Sequence, residues 1–307
     1  MNTRRIRALF PGQGSQEPGM GRALAAAYPA AAACFDEASD VLGLDLRALC
    51  WDAPAARLAE TQNAQPALLT AAVATWRVLE EHGVTLAATA GHSVGAFASL
   101  VAAGSLPFPQ AVELIRLRGE LMASAPGEGG MCAVIAVGPD RAEALAAVER
   151  HGLDLAADNS PRQFVAAGAL ADVRALATEL GARAKLLEVS HAFHSRLMAP
   201  VAERWAQAVQ RTEIADAAVP VGLVAIGSFG TDAADLAKDL AAALCAPVHW
   251  QQLMTELGAE GPPLAAIGPA KALVGLAKHF PDRPRPTLVN TPVSLEAFVR
   301  RLETEDR

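Results

Sequence analysis

The sequence predicts an α/β protein in which a small α+β domain interrupts a large domain built on a parallel sheet. Short apolar runs that stop at glycine or proline alternate with helical patterns towards both ends of the chain, as in parallel α/β sheets. The middle of the chain instead follows the order β-α-β-β-α-β within about 60 residues, which is the ferredoxin-like pattern. The length of 307 residues, 52% of them hydrophobic, is sufficient for two such domains.

The first part of the chain supplies the opening elements of the large domain. A buried strand over residues 6–10 ends at Pro11-Gly12, and a second strand over residues 85–90 runs directly into Gly91. Periodic apolar positions predict the helices of this part over residues 21–28, 30–41, 65–82 and 109–122.

The inserted domain begins after a glycine-rich hinge and ends where the α/β pattern resumes. Within it we expect strands over residues 131–137, 153–157, 163–167 and 184–188, a turn over 158–161, and helices over 141–151 and 170–180. The large domain then continues with a helix over 195–210, a strand over 264–267 and a helix over 270–279. We therefore assign residues 1–129 and 191–307 to the large domain and residues 130–190 to the small one.

Composition and charge exclude several classes of protein. With 26 Lys+Arg against 33 Asp+Glu the net charge is −7, so the chain lacks the positive field of a nucleic-acid binder. No apolar stretch approaches the roughly 20 residues needed to span a bilayer. The four cysteines have neither disulfide nor metal-ligand spacing, which favours free thiols in a reducing cytoplasm. We expect a cytoplasmic monomer with no metal, no membrane contact and no nucleic-acid partner.

Ser93 is the candidate nucleophile, in the sequence Gly91-His92-Ser93-Val94-Gly95 between a strand and a helix. The two glycines permit a sharp turn that exposes the serine hydroxyl above the sheet, as in α/β-hydrolase-like domains. The backbone N–H of Val94 then faces the position of a developing oxyanion. The alternative is a glycine-eased turn whose serine caps the helix.

A serine nucleophile needs a base, and two histidines compete for that role. His191 and His194 both lie where the inserted domain returns to the large one, so both can reach a cleft between the domains. Their spacing alone does not choose between them. His82, His151 and His279 end predicted helices, where a cation suits the helix dipole, and are weaker candidates.

Arg118 lies on an apolar helix face. On the predicted helix over residues 109–122, its neighbours three and four positions away are Leu114, Ile115, Leu121 and Met122. A buried guanidinium needs an anionic partner, because an unpaired buried charge is too costly to keep. That partner is either a carboxylate of the protein or the carboxylate of a substrate, which the planar guanidinium would bind through two parallel hydrogen bonds.

The first strand is followed directly by the sequence FPGQGSQ over residues 10–16. Its glycines allow the backbone to approach a ligand closely, so the amide of Gln13 is a candidate second oxyanion donor. The segment is not G-x-G-x-x-G, and no acidic residue follows at the spacing used to bind a ribose. A nicotinamide cofactor is therefore disfavoured.

Together these motifs resemble the malonyl-CoA:acyl carrier protein transacylase family, which includes the acyltransferase domains of fatty acid and polyketide synthases. The resemblance runs in order through residues 10–16, 91–95, 118–119 and 191–195, with the inserted domain at the family's usual place. It implies that Ser93 carries the acyl group, that His194 is the general base and that Arg118 binds the free malonyl carboxylate. The backbone N–H groups of Gln13 and Val94 would form the oxyanion hole.

The resemblance also assigns several positions around these residues. Phe193 matches a phenylalanine that accompanies malonyl choice in the synthase relatives, whereas a serine there accompanies methylmalonyl. Gln65 and Asn159 match family positions near the site. Ala243 and Val224 depart from the family, which usually has glutamine and asparagine there. The family orients its base with a backbone carbonyl at the glutamine position, so loss of that side chain leaves the acceptor in place.

The expected activity is ping-pong transfer of a malonyl group from malonyl-CoA to the phosphopantetheine thiol of an acyl carrier protein. We expect no permanently bound cofactor, because malonyl-CoA is a substrate and the partner carries the phosphopantetheine. Because Ala243 and Val224 depart from the family pattern, two alternative identities stay open: the acyltransferase subunit of malonate decarboxylase and a free-standing polyketide acyltransferase. A serine thioesterase or hydrolase is a weaker alternative, since no acidic residue stands out as a third triad member.

Overall fold

The computed structural model describes residues 4–304, which fold around two β-sheets. The strands, in chain order, are β1 (Arg5–Phe10), β2 (Thr85–Gly91), β3 (Gly129–Ile135), β4 (Asp154–Ser160), β5 (Gln163–Ala169), β6 (Ala184–Leu186), β7 (Val221–Leu223), β8 (Ser228–Gly230), β9 (Leu264–Ile267) and β10 (Thr287–Val289).

The helices account for most of the remaining described chain. In order they are α1 (Arg22–Ala27), α2 (Pro29–Leu42), α3 (Leu46–Trp51), α4 (Ala55–Ala59), α5 (Thr61–Glu81), α6 (Gly95–Ala102), α7 (Phe108–Ala123), α8 (Gly138–Arg150), α9 (Leu170–Leu180), α10 (Ala199–Arg211), α11 (Ala233–Ala242), α12 (Trp250–Glu256), α13 (Lys271–Ala277) and α14 (Pro292–Thr304). Within residues 4–304, none of them combines the length and apolarity needed to cross a membrane.

The larger sheet has the strand order β10-β9-β1-β2-β7-β8. Neighbouring strands are parallel from β10 to β7, and β8 returns antiparallel to β7 as a hairpin. β1 lies inside the sheet, and all its residues after Arg5 are buried, as expected for a strand covered on both faces. The parallel α/β class predicted for the large domain is confirmed.

The loops after β1, β2 and β7 leave the same edge of the larger sheet because these strands are parallel. β1 leads into Gly12, β2 leads into Ser93, and β7 leads into a turn over residues 224–227. The His92 N–H donates to the carbonyl of Phe10 at 3.0 Å, which joins the first two loops. Open parallel sheets bind their ligands at this edge.

The smaller sheet has the order β4-β5-β3-β6, with every neighbouring pair antiparallel. Its helices α8 and α9 connect β3 to β4 and β5 to β6, which is the predicted β-α-β-β-α-β order, and the ferredoxin-like prediction is confirmed. A separate apolar core that includes Val134, Phe164 and Leu176 lies within it. The domain limits at residues 130 and 190 stay a prediction, and the assigned residues 1–3 and 305–307 lie outside the described chain.

Several predicted boundaries were wrong. The turn expected over residues 158–161 is confined to Pro161 and Arg162, because β4 stays paired with β5 up to Ser160. The helix expected to start at residue 65 begins at Thr61, so Pro66 lies inside it. The helix expected over 195–210 begins as a 3-10 turn before α10, and the strand expected over 184–188 ends at residue 186.

Strand β4 joins the smaller sheet to the segment that precedes α12. The Asp158 N–H donates to the carbonyl of Val248, and the Val248 N–H donates to the carbonyl of Ala156, both at 2.9 Å. Ser160 Oγ lies 2.9 Å from His279 Nδ1 on the chain after α13. These contacts fix the end of β4 against the loops that carry the candidate site.

Candidate active site

Ser93 lies in the sharp turn between β2 and α6. Its φ is 51°, a left-handed conformation that is rare outside glycine. The flanking glycines permit this turn, since a Cβ on Gly95 would overlap the carbonyl of Phe10 and one on Gly91 would overlap the backbone of Gly95. The strand-to-helix turn predicted from the motif is therefore present, with the serine at its apex.

His194 faces Ser93 from the segment that follows the smaller sheet. Its Nε2 lies 2.8 Å from Ser93 Oγ, and its φ is 58°. The turn that carries it is closed by Ser195, whose hydroxyl donates to the carbonyl of Ala192 at 2.7 Å. His194 Nδ1 lies 3.2 Å from the carbonyl of Ala246, so this nitrogen carries the proton and Nε2 can accept one.

The imidazole of His194 is held neutral. Burial is the largest cause that lowers the pKa of His194, to about 3, and the charge of Arg118 and the neighbouring His92 act in the same direction. Backbone hydrogen bonds from Ala246 and Ala243 oppose the shift. The family resemblance expects the orienting carbonyl at position 243. The 3.2 Å contact is with Ala246, three residues further on, and the backbone of Ala243 acts on the imidazole beside it.

The second candidate base, His191, points elsewhere. Its Nε2 lies 3.2 Å from the carbonyl of Pro126, and its Nδ1 accepts the N–H of Ala192 at 2.8 Å. Both ring nitrogens are therefore used in contacts with the backbone. The geometry separates the two histidines that the sequence left as alternatives, and it brings only His194 to Ser93.

Arg118 lies on α7 beside the same serine and is only 1% exposed. Its Nη1 donates to Gln65 Oε1 at 3.0 Å and its Nη2 donates to Ser93 Oγ at 3.3 Å, while its buried Nε has no partner. No carboxylate among residues 4–304 pairs with it, so the structural ion pair considered from the sequence is absent there. Burial lowers the pKa of Arg118 to about 10, which leaves it charged at neutral pH.

Gln65 on α5 is fully buried against Arg118. Its Oε1 accepts from the guanidinium, and its Nε2 lies 3.3 Å from the sulfur of Met122. The amide is thus oriented with its acceptor towards Arg118 and holds the guanidinium plane in place. The prediction that Gln65 lies near the site agrees with this position.

Two backbone N–H groups in the loops after β1 and β2 have no acceptor. Among the described residues, neither the N–H of Gln13 nor that of Val94 has a hydrogen-bond partner. The Gln13 side chain is held by Thr61, to whose hydroxyl it donates at 3.2 Å. A Cβ on Gly12 would lie 2.8 Å from both Nδ1 and the carbonyl oxygen of His92, so the two loops pack closely. Both N–H groups are therefore available to a ligand, and their role as oxyanion donors stays a prediction.

Asn159 reaches the site through His92. Its Oδ1 lies 2.7 Å from His92 Nε2, and its Nδ2 donates to Gln163 Oε1 at 3.0 Å. The His92 ring also packs on Trp250, with ring centroids 5.4 Å apart. Sequence reasoning gave His92 no role, although its place beside Ser93 in the motif was the available signal.

The other predicted positions are buried apolar residues. Phe193, next to His194, is buried, and its side chain has no polar partner. Val224 and Ala243, the two departures from the family, are also buried and apolar. Of the residues predicted for the site, the structure brings Ser93, His194, Arg118 and Gln65 into one connected set of contacts. No group of three or more His, Cys, Asp or Glu side chains within residues 4–304 is placed to hold a metal ion.

A serine–histidine pair at the edge of a parallel sheet, with a buried arginine beside it, defines an acyl-transferring or acyl-hydrolysing enzyme. Comparison with known proteins narrows the class. The family described as "Acyl transferase domain" matches residues 9–268. The malonyl CoA-acyl carrier protein transacylase of Bacillus subtilis (strain 168) is 41% identical over 315 residues, covering 98% of each chain.

Solved structures agree with the sequence comparison. The malonyl CoA-acyl carrier protein transacylase of Coxiella burnetii has a TM-score of 0.91 at 34% identity, covering 98% of this chain and 99% of that one. A malonyl-transacylase in complex with a type II polyketide synthase acyl-carrier protein has a TM-score of 0.90 at 35% identity, covering 97% and 99%. The chain belongs to the acyl transferase family that includes the malonyl-CoA:acyl carrier protein transacylases.

Proposed function

We propose that the chain transfers a malonyl group from malonyl-CoA to the phosphopantetheine thiol of an acyl carrier protein, through a malonyl ester of Ser93. One observation carries the proposal. The hydroxyl of Ser93 contacts the neutral imidazole of His194 at 2.8 Å and the buried guanidinium of Arg118 at 3.3 Å, and that guanidinium has no carboxylate partner in residues 4–304. The names of the relatives agree with it.

In the first half-reaction, Nε2 of His194 takes the hydroxyl proton as Ser93 Oγ attacks the thioester carbonyl. The N–H groups of Gln13 and Val94 donate to the oxyanion of the tetrahedral intermediate. The intermediate collapses as the C–S bond breaks, and the imidazolium returns its proton to the CoA sulfur. The carbonyl of Ala246 stabilises the imidazolium through Nδ1–H.

In the second half-reaction, the phosphopantetheine thiol of the carrier protein occupies the place that CoA has left. His194 takes its proton, the sulfur attacks the malonyl ester, and the new tetrahedral intermediate releases Ser93 Oγ, which recovers the proton. Two further residues would shape the pocket that holds the acyl group between the half-reactions. They are Asn159, which is hydrogen-bonded to His92, and Phe193, which is next to His194.

Arg118 would select the acyl group. Its unpartnered Nε and its Nη2 offer donors to a carboxylate, and its place beside Ser93 Oγ fits the short distance between the two ends of a malonyl group. Gln65 would keep the guanidinium plane fixed. A monocarboxylic acyl group such as acetyl cannot satisfy these donors.

The substrates carry the cofactor chemistry, so we propose that the protein binds no permanent cofactor: CoA arrives with the malonyl group and phosphopantetheine with the carrier protein. We further propose that the chain acts as a monomer. The free thiols of Cys34, Cys50, Cys132 and Cys245 support a cytoplasmic location. Fatty acid synthesis, polyketide synthesis and malonate decarboxylation would each use the same transfer step.

The test is the intact mass of the protein after mixing with malonyl-CoA alone. We expect one malonyl adduct, absent in Ser93→Ala, that disappears when a carrier protein with its phosphopantetheine is added and reappears on that protein. Rapid release of free malonate with no carrier present would instead identify a hydrolase. Absence of any adduct on the folded wild-type protein would refute catalysis through Ser93.

A further inference from the structure

Asp239 is a buried carboxylate for which the proposed chemistry has no use. It lies on α11 and is 4% exposed. Burial is the largest cause that raises the pKa of Asp239, to about 6, and three backbone N–H groups partly offset it. Keeping a carboxylate in such a place costs free energy unless hydrogen bonds compensate for its burial.

The carboxylate binds the turn between β7 and β8. Its Oδ2 accepts the N–H of Val224 at 2.9 Å, and its Oδ1 accepts those of Ala225 and Ile226 at 2.8 and 3.0 Å. The side chains of these three residues are apolar, so the turn offers only its backbone for polar contacts. Three charge-assisted hydrogen bonds to consecutive amides fix both the position and the orientation of the turn.

The turn, in turn, holds the segment of residues 246–250. The carbonyl of Val224 accepts the N–H of His249 at 2.9 Å, and Gly227 packs against the His249 side chain. This hydrogen bond connects Val224, whose N–H binds Asp239, to His249, the residue directly before α12. The position of the segment therefore depends on the position of the turn.

The same segment contacts the base and the residue next to the nucleophile. Its first residue, Ala246, supplies the carbonyl that orients His194, and Trp250 packs on His92 beside Ser93. Val248, between them, makes two backbone hydrogen bonds to β4. A shift of the segment would therefore move both the Ala246 carbonyl that binds His194 and the Trp250 ring that packs on His92.

We infer that Asp239 is a positioning residue for the Ser93–His194 pair: by fixing the turn of residues 224–226 it sets the carbonyl of Ala246 that orients the base. The inference rests on the proposed acyl transfer through Ser93. It predicts an effect on the rate of acylation rather than on the binding of malonyl-CoA. Arg118, which would bind the malonyl carboxylate, and Gln65, which holds it, lie on α7 and α5 and make no hydrogen bond to this turn.

The experiment compares Asp239→Ala and Asp239→Asn with a matched control on the same helix. Asp232 caps α11 by accepting the N–H groups of Ala234 and Asp235, so Asp232→Ala removes a carboxylate that holds backbone amides but does not touch the turn. For each variant we would measure the rate of Ser93 malonylation at saturating malonyl-CoA, the KM and the Tm. Proton NMR of the His194 Nδ1–H would report its bond to Ala246.

We expect Asp239→Ala to slow malonylation by about tenfold to a hundredfold, because a displacement of about 1 Å in a catalytic group has effects of that size. Its KM should change less than about threefold, and the Nδ1–H resonance should shift or broaden. Asp239→Asn keeps an acceptor for Ala225 and Ile226 but faces Val224 with its amide group. Its rate should lie between those of wild type and Asp239→Ala, and Asp232→Ala should lower the Tm with little effect on rate.

Two results would overturn the inference. One is a folded Asp239→Ala with the wild-type rate and the wild-type Nδ1–H resonance. If Asp239→Ala does not fold at the assay temperature, the other is Asp239→Asn with the rate and resonance of Asp232→Ala. Malonylation of the wild-type protein serves as the control for both results. If the proposed function itself were wrong, the wild type would stay unlabelled as well.

Discussion

Replacing Arg118 by alanine should convert a malonyl-selective site into an unselective one. In the free protein the guanidinium donates to Gln65 and, over 3.3 Å, to Ser93 Oγ, while its Nε has no acceptor. A bound malonyl carboxylate would gain two charge-assisted hydrogen bonds of about 1.5–3 kcal/mol each and would displace only the long contact to Ser93. The net gain of about 3–4 kcal/mol corresponds to about 10²–10³ in kcat/KM.

The assay is kcat/KM for the formation of acyl-Ser93 from malonyl-CoA and from acetyl-CoA, followed by intact mass. The matched control is Arg116→Ala, two positions away on α7. Arg116 pairs with Glu120 at 2.6 Å and donates to the carbonyl of Gln62, at the partly exposed side of the helix. Its loss should change both rates by less than about twofold, since exposed ion pairs are worth little.

The two variants separate carboxylate binding from general damage to α7. Arg118→Ala should lose about 10²–10³ with malonyl-CoA and far less with acetyl-CoA, whose acyl group has no carboxylate to bind. Equal losses with both substrates would show that Arg118 supports the fold or the nucleophile and does not select the acyl group. An unchanged malonyl rate in a folded variant would refute its role altogether.

Gly12→Ala would place a Cβ 2.8 Å from Nδ1 and the carbonyl of His92, so acylation should slow about tenfold or more with a smaller change in malonyl-CoA KM; a wild-type rate would contradict the close packing of the two loops. Gly275→Ala, inside α13 with no atom near the new Cβ, should raise the free energy of unfolding by about 0.5–1 kcal/mol without affecting activity, as measured by urea denaturation. Because the pKa of His194 is lowered to about 3, the unfolded chain binds a proton below pH 6.5 that the folded protein does not. The free energy of unfolding should therefore fall by up to about 1.4 kcal/mol per pH unit from pH 6.5 towards pH 3 because of this group. In urea denaturation at pH 7, 6 and 5, His194→Gln, which cannot titrate, should show a smaller fall in the free energy of unfolding per pH unit.

The elements predicted well from the sequence are those specified by a local pattern. The apolar run of β9, stopped by Gly268, and the amphipathic repeat of α9, stopped by Gly181, begin and end where the pattern places them. The G-x-S-x-G turn is equally local, because its two glycines and its serine are consecutive in the chain. Such signals need no knowledge of distant partners.

The elements that the sequence did not reveal depend on distant partners. β7, β8 and β10 have three residues each, and β7 pairs with β2 only at Thr89 and Val221. Strands this short are too brief to show the alternation of apolar and polar residues that predicts a strand. They form because the edge of a neighbouring strand has unpaired backbone groups. Asp239 is a similar case, since the amides it binds lie 13 to 15 positions earlier in the chain.

The choice between His191 and His194 shows most clearly what sequence reasoning lacks. Three positions apart on one segment, they differ in backbone conformation, and in the described chain only Ser93 and His194 are non-glycine residues with positive φ. Such conformations cost about 1–3 kcal/mol each and persist only where neighbouring contacts impose them. Gly95 beneath the nucleophile and Ser195 beside the base provide those contacts. Relaxing either turn should therefore lengthen the 2.8 Å contact between Ser93 Oγ and His194 Nε2 without removing either group, so neither Gly95 nor Ser195 needs to take part in the chemistry to control its rate.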